Sequence, residues 1–184
     1  LLILVTQMYS FACSVSNYVW FTNKYDLKYF VDNSMSHFSK AILTKNAIDL
    51  EDFSWKNIDN NELDMLRDNL SIVSGDFVVI LVGRLIKSKG IKEYAEVAVK
   101  LYKNYPHIKF LLVASEEKNS PEAIEKEYIL DIESRSNLQW LGFRKDIRNL
   151  YALSDLSVLQ SYYQEGGYPR ALLEAMAYGK PVIA

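Results

Sequence analysis

Cysteine is almost missing from this chain. Cys13 is the single one among 184 residues, so no intrachain disulfide can form, and a reducing compartment such as the cytosol fits. Histidine is nearly as scarce. His37 and His107 are far apart and outside any metal-ligand spacing, so no zinc centre is expected. A dominant charge is also lacking: the net charge of −2 leaves no electrostatic footprint for nucleic acid. The opening apolar run, Leu1 to Val5, is too short to span a bilayer. No basic segment precedes it, so it does not read as a signal peptide. The chain has no initial Met and stops inside a strand-like segment, so it reads as a piece cut at both ends. Several motifs are absent too. There is no G-x-S-x-G elbow, no Walker A loop and no Asp-x-Asp at a strand end.

What is present is ordinary globular material, 49% hydrophobic and 24% charged, with one distinctive stretch. Ser161 to Ala184 reads SYYQEGGYPRALLEAMAYGKPVIA. An apolar strand gives out at Leu159. A polar, glycine-bearing turn follows, Gln164 to Tyr168, and then a helix that Pro169 opens and Gly179 ends. Pro181 to Ala184 reads as the next buried strand. The free amides at such a helix start suit an anion or sugar hydroxyls. Glu174 is the only charge in Ala171 to Ala177. A carboxylate there is either solvated or held by a partner.

The rest of the chain alternates helices and strands. Helical spacing is expected up to about Ser16, strands at Tyr18–Thr22 and Lys40–Thr44, and a helix capped by Asn23 between them. Residues 1–50 look like the end of one α/β domain. Residues 51–75 carry no strong period and read as a junction, with a short helix at Leu63 to Leu70. From Asp76 the pattern is regular. Phe77–Val82 is a continuous apolar strand, covered on both faces, and an amphipathic helix follows from Ile91. His107–Ala114, Leu138–Leu141 and Asp155–Leu159 are further strands. Ser120-Pro121-Glu122 reads as the start of a helix running to about Ile132. This predicts a parallel sheet with right-handed crossovers over residues 76–184.

In such a sheet, ligands bind beyond the carboxyl ends of the strands. Gly83, Arg84 and Lys89 follow the first strand, Ser115 to Glu117 the second, Gly142 and Phe143 the third, and Ser161 with the Glu165-Gly166-Gly167 turn the fourth. Cations and backbone amides suit a diphosphate. A carboxylate suits a ribose diol, because both hydroxyls can donate to it. The first turn is not G-x-G-x-x-G, which disfavours a dehydrogenase-type dinucleotide fold.

Three segments in order, GRLIKSKG (Gly83–Gly90), WLGFRKDIRNLYALSDLSVL (Trp140–Leu159) and EGGYPRALLEAMAYGKPVIA (Glu165–Ala184), resemble the retaining glycosyltransferases of family 4. That resemblance covers about Tyr18 to Ala184. It implies the two-domain GT-B fold, an α/β architecture of Rossmann-like parallel sheets flanked by helices and incomplete in this chain. Residues 1–50 would close the N-terminal, acceptor-side domain, and residues 76–184 would form most of the nucleotide-sugar-binding domain. The resemblance implies that Arg84 and Lys89, beside Gly83, hold the donor diphosphate and act in catalysis together with Glu165. It also implies that the backbone around Gly142 and Phe143 contacts the base, that Glu174 binds the ribose hydroxyls, and that the Glu165-Gly166-Gly167-Tyr168 turn holds the donor sugar. The family separates its two glutamates by seven residues. Here eight stand between Glu165 and Glu174, and a glycine in the turn absorbs the extra one.

The activity implied is transfer of a hexosyl unit from a nucleotide sugar, UDP-sugars foremost, with retention. The acceptor would be a glycan or a lipid-linked hydroxyl. No cofactor, metal or nucleic acid is expected. The protein would be cytoplasmic, with peripheral association at the inner membrane face through an N-terminal part outside this chain. Two other readings stand beside this one: another GT-B enzyme, an epimerase or a phosphorylase, and a non-catalytic nucleotide-sugar binding module.

Overall fold

The structure is a computed structural model that describes residues 2–163 and 165–184. Leu1 and Gln164, expected at the first helix and in the glycine turn, lie outside the described residues. The chain divides into two compact units. The first is Leu1–Ala47 with Glu165–Pro169, and the second is Ile48–Gln164 with Arg170–Ala184.

The first unit holds helix α1 (Leu2–Val15), strand β1 (Val19–Phe21), helix α2 (Lys24–Asp32) and strand β2 (Ala41–Leu43). β1 and β2 pair in parallel, Val19 against Ala41 and Phe21 against Leu43. Asn23 caps α2, its side-chain oxygen accepting from the Asp26 amide at 2.8 Å, which satisfies one of the orphan donors of the first turn. Lys40 closes α1 from the other end, donating to the Ser14 carbonyl at 2.9 Å, where a cation suits the helix dipole. Phe21 and Phe30 pack edge-to-face at 5.2 Å. The apolar spacing does produce α1. Its Leu4, Met8, Phe11 and Val15 side chains are nonetheless exposed.

The second unit is a five-stranded, all-parallel sheet ordered β5-β4-β3-β6-β7. Its strands are β3 (Phe77–Arg84), β4 (Ile108–Ser115), β5 (Leu138–Trp140), β6 (Leu156–Val158) and β7 (Val182–Ile183). Between them run α4 (Ile91–Tyr102), α5 (Lys126–Ser134), α6 (Ile147–Leu153) and α7 (Arg170–Ala177), after a leading α3 (Asn60–Asn69). Alternate residues of β3 feed two cores. Val78 and Ile80 pack with α3, α6 and α7, while Val79 and Leu81 pack with α4 and α5. Burial on both faces is why β3 reads as an unbroken apolar run rather than an alternating one. No described helix is long and apolar enough to cross a membrane.

One expectation is corrected. Ser120-Pro121-Glu122 does not open a helix, because α5 starts only at Lys126. The segment before it is drawn into extended pairing instead. Ile86 bridges Ala123 antiparallel, the Lys87 amide donates to the Glu122 carbonyl at 2.9 Å, and the Ile124 amide donates to the Leu85 carbonyl at 3.1 Å. Leu85, Ile86 and Ile124 are all buried. Burying these three side chains outweighs the local cap chemistry, and the same pairing pins the loop that follows β3.

Strand order reverses between β3 and β6, which both grow outward from the middle of the sheet. The chain seals that reversal with Gly90, whose φ is +68°. A Cβ there would lie 2.4 Å from the Gln160 carbonyl oxygen. Gln160 Nε2 in turn donates to the Gly90 carbonyl at 2.9 Å. We predict that Gly90→Ala lowers stability by about 2 kcal/mol or more, from left-handed backbone strain plus displacement of the Gln160 backbone. Urea unfolding measures it, and an unchanged midpoint would count against this account.

Candidate functional site

In the second unit the expected residues gather along the carboxyl edge of the sheet. β3 ends at Gly83-Arg84, in register with Ala114-Ser115 of β4. Arg84 and Lys87 are exposed, whereas Lys89 is buried. The Lys89 stem passes over the strand end, close enough that a Cβ on Gly83 would touch it at 3.9 Å. Its ammonium stands 4.8 Å from the centre of the Tyr163 ring, a cation–π contact. A buried lysine head kept near an aromatic face is preorganised for an anion in a way that the exposed Lys87 is not. The Tyr162 amide donates to the Ser88 carbonyl at 2.8 Å, tying the segment after β6 to the loop after β3.

β5 gives way to Gly142, with φ of +63°, and to Phe143, which is 72% exposed. A two-pronged ion pair follows at once. Arg144 Nε and Nη2 donate to the two Asp146 carboxylate oxygens at 2.7 and 2.5 Å. The hydrogen bond holds Asp146 below the usual carboxylate range and Arg144 above its own. The fork braces the turn beside the exposed Phe143.

Glu174 lies in α7, a helix that buries Leu172 and Ala175. Its side chain is only 13% exposed, so the reading as a solvated surface acid fails. Arg170, one turn earlier and 68% exposed, approaches it at 3.7 Å. Tyr151 of α6 is fully buried, and its hydroxyl lies next to the Glu174 carboxylate without reaching regular hydrogen-bond geometry. Burial pushes the Glu174 carboxyl above its ordinary value, with Arg170 and then Tyr151 opposing. Burial also pushes the Tyr151 hydroxyl far up, helped by the Glu174 charge. The pair is a largely buried acceptor with a neutral donor beside it, suited to hydroxyls that donate to it.

Glu165, Gly166, Gly167 and Tyr168 belong to the first unit. Gly167 has φ of +119°, so the turn does contain a glycine in a conformation that other residues rarely adopt. The structure thus brings Gly83, Arg84, Lys89, Gly142 and Phe143 to one sheet edge and sets Glu174 on α7 in that unit. It sets the turn among first-unit residues. Sequence reasoning missed Gln160, Tyr151 and Tyr163. The apolar setting of Tyr151 in NLYALS was the only available hint, since the packing that makes these residues matter is long-range.

A Rossmann-like parallel sheet with basic and glycine-bearing loops at its switch point belongs to the nucleotide-binding α/β class. The family model of the glycosyl transferases group 1 matches residues 64–184, and the chain belongs to that GT-B family. It is 26% identical over 152 residues to alpha-monoglucosyldiacylglycerol synthase of Acholeplasma laidlawii, covering 81% of this chain and 37% of that protein. It is 32% identical over 146 residues to UDP-Gal:alpha-D-GlcNAc-diphosphoundecaprenol alpha-1,3-galactosyltransferase of Escherichia coli, covering 78% and 36%. The chain therefore spans well under half the length of these relatives. Among solved structures, a glycosyltransferase from Rickettsia africae ESF-5 superposes with a TM-score of 0.78 at 20% identity, covering 97% of this chain and 47% of that one. This last likeness shows the fold.

The raised Glu174 pKa has a consequence for stability. Folding makes its ionised form costlier than in the unfolded chain. Stability attributable to this group is therefore lost as pH rises from the ordinary 4.5 through the raised value, and nothing is lost below that window. Glu174→Gln removes the penalty. The variant should be more stable than the parent at about pH 7, with the difference shrinking toward about pH 4. Denaturation midpoints across that range test it. A variant less stable than the parent at neutral pH would show that the carboxylate supports the fold.

Proposed function

We propose that this chain contributes the donor-binding part of a retaining, family-4-type hexosyltransferase. The donor is a nucleotide sugar, a UDP-hexose foremost, and the acceptor is a hydroxyl on a lipid-linked or polysaccharide glycan. The observation that carries this reading is Glu174, a largely buried carboxylate with a buried tyrosine hydroxyl beside it, on a helix of a group 1 glycosyltransferase sheet. In this reading it accepts both ribose hydroxyls. Arg84 and Lys89 hold the diphosphate and stabilise it as it departs, without a protein-held metal. Gly142 and Phe143 meet the base, and the Glu165 turn meets the sugar. The names of the relatives support the acceptor class, since one makes a glycolipid and another acts on a diphosphoundecaprenol-linked sugar. Work at the inner membrane face follows from such acceptors.

Two measurements on the full-length protein test the reading. Arg84→Ala and Lys89→Ala should each weaken UDP binding about tenfold or more, because charge-assisted bonds contribute roughly 1.5–3 kcal/mol. Lys87→Ala should change little. Unaltered UDP affinity in both variants would remove the phosphate assignment.

The ribose assignment is tested by calorimetry with a UDP-hexose and its 2′-deoxy analogue. The parent should prefer the ribo form, and Glu174→Gln should lose most of that preference, on the order of 2–4 kcal/mol of donor binding. Equal discrimination by both proteins would place Glu174 outside the ribose site. A glycoside product separates a transferase from an epimerase, and absence of any product points to a binding module.

A further inference from the structure

The Glu165–Pro169 turn is not shaped by its own sequence alone. Thr22, immediately after β1, donates its hydroxyl to the Gly166 carbonyl at 2.6 Å. Asn46, three residues after β2, donates Nδ2 to the Tyr168 carbonyl at 2.8 Å. Between these two bonds sits Gly167, whose amide turns back to the Glu165 carbonyl at 2.7 Å. A Cβ on Gly167 would lie 3.0 Å from the Thr22 carbonyl oxygen and 3.1 Å from Asn46 Nδ2. The Lys45 ammonium stands 5.3 Å from the centre of the Tyr168 ring. Both side-chain donors come from the carboxyl ends of the parallel pair β1 and β2, so one edge of the first unit grips two carbonyls of the same turn.

We infer that Thr22 and Asn46 are positioning residues for the donor's sugar. They hold the carbonyls on either side of Gly167 and so fix the backbone shape of the turn that presents Glu165. The inference rests on the reading that this turn meets the sugar of the donor. The physical reason is entropic. A turn with two adjacent glycines has many conformations to lose, and ordering it at the moment of binding would subtract from affinity and from the fraction of correctly aligned complexes. Two hydrogen bonds already made in the folded protein remove much of that cost. β1 and β2 thus supply both donors from within the unit to which the turn itself belongs. The extra residue between Glu165 and Glu174 has a use on this account. It lengthens the turn by a glycine that can pass within contact distance of Thr22 and Asn46.

The test separates sugar-dependent from diphosphate-dependent binding in the full-length protein. Titrations use UDP and a UDP-hexose, alongside kcat/KM for transfer. Thr22→Val and Asn46→Ala should each weaken UDP-hexose binding or lower kcat/KM roughly three- to tenfold, the worth of one ordinary hydrogen bond, while leaving UDP affinity within about twofold. Thr22→Ser keeps the hydroxyl and should restore the parent values. The inference is overturned if UDP-hexose binding and transfer stay at parent values in both variants. It is equally overturned if UDP affinity falls in parallel, since the two residues then only support the fold, or if Thr22→Ser behaves like Thr22→Val. Failure of the underlying reading looks different: Glu165→Ala would leave both UDP-hexose affinity and transfer unchanged, which removes the sugar from the turn and the inference with it.

Discussion

The second unit depends on one close approach, that of Gly90 to Gln160. The carbonyl of Gln160 occupies the space where any other residue at position 90 would carry its Cβ. That contact lets the chain leaving β6 cross the start of α4 at the point where strand order reverses. Beside it lie the loop after β3, the buried Lys89, and the tie from Tyr162 to Ser88. The antiparallel pairing of Ile86 with Ala123 braces the same loop from the other side. The loop is thus held at both flanks, and Lys89 within it is already ordered by the fold.

Glu174 shows the opposite economy. A largely buried carboxylate whose burial cost outweighs its partners is unfavourable for the fold. Arg170 is mostly exposed and offsets little. Nothing in the packing of α7 requires a charge there, since Leu172 and Ala175 supply its core contacts. Structural ion pairs and ligand sites can both perturb a carboxylate in this way, and the proposed ribose role gives this one a use that the packing of α7 does not.

Element type was legible wherever hydrophobic period and burial agree. β3 and β4 read as continuous apolar runs because both of their faces are covered, and α4 reads as a helix because only one of its faces is. Asn23 is a true cap because its partner lies three residues away. The misreading at Ser120-Pro121-Glu122 had the same kind of local signal, yet a pairing with residues 85–87, far upstream, overrode it. Local chemistry proposes and long-range burial decides, so cues confined to a few residues hold only where no distant strand or loop competes for the same backbone.

The candidate site divides along the same line. Arg84, Lys89 and Glu174 stood out because charge is unusual beside buried strands or inside an apolar helix. Gln160, Tyr151, Thr22 and Asn46 did not, since each is an unremarkable residue type whose partner lies 23 to 144 positions away. Gln160, Thr22 and Asn46 hold others in place, a glycine at a crossing and a turn with two glycines, and Tyr151 lies beside a carboxylate on a helix. The charged groups supply most of any interaction with an anion, and they can be found by composition. The groups that make such charges effective are neutral hydrogen-bond donors and acceptors with fixed geometry, and their role exists only in three dimensions. Reading the first set from sequence gives the class of ligand. The second set becomes legible only once the fold brings distant segments together.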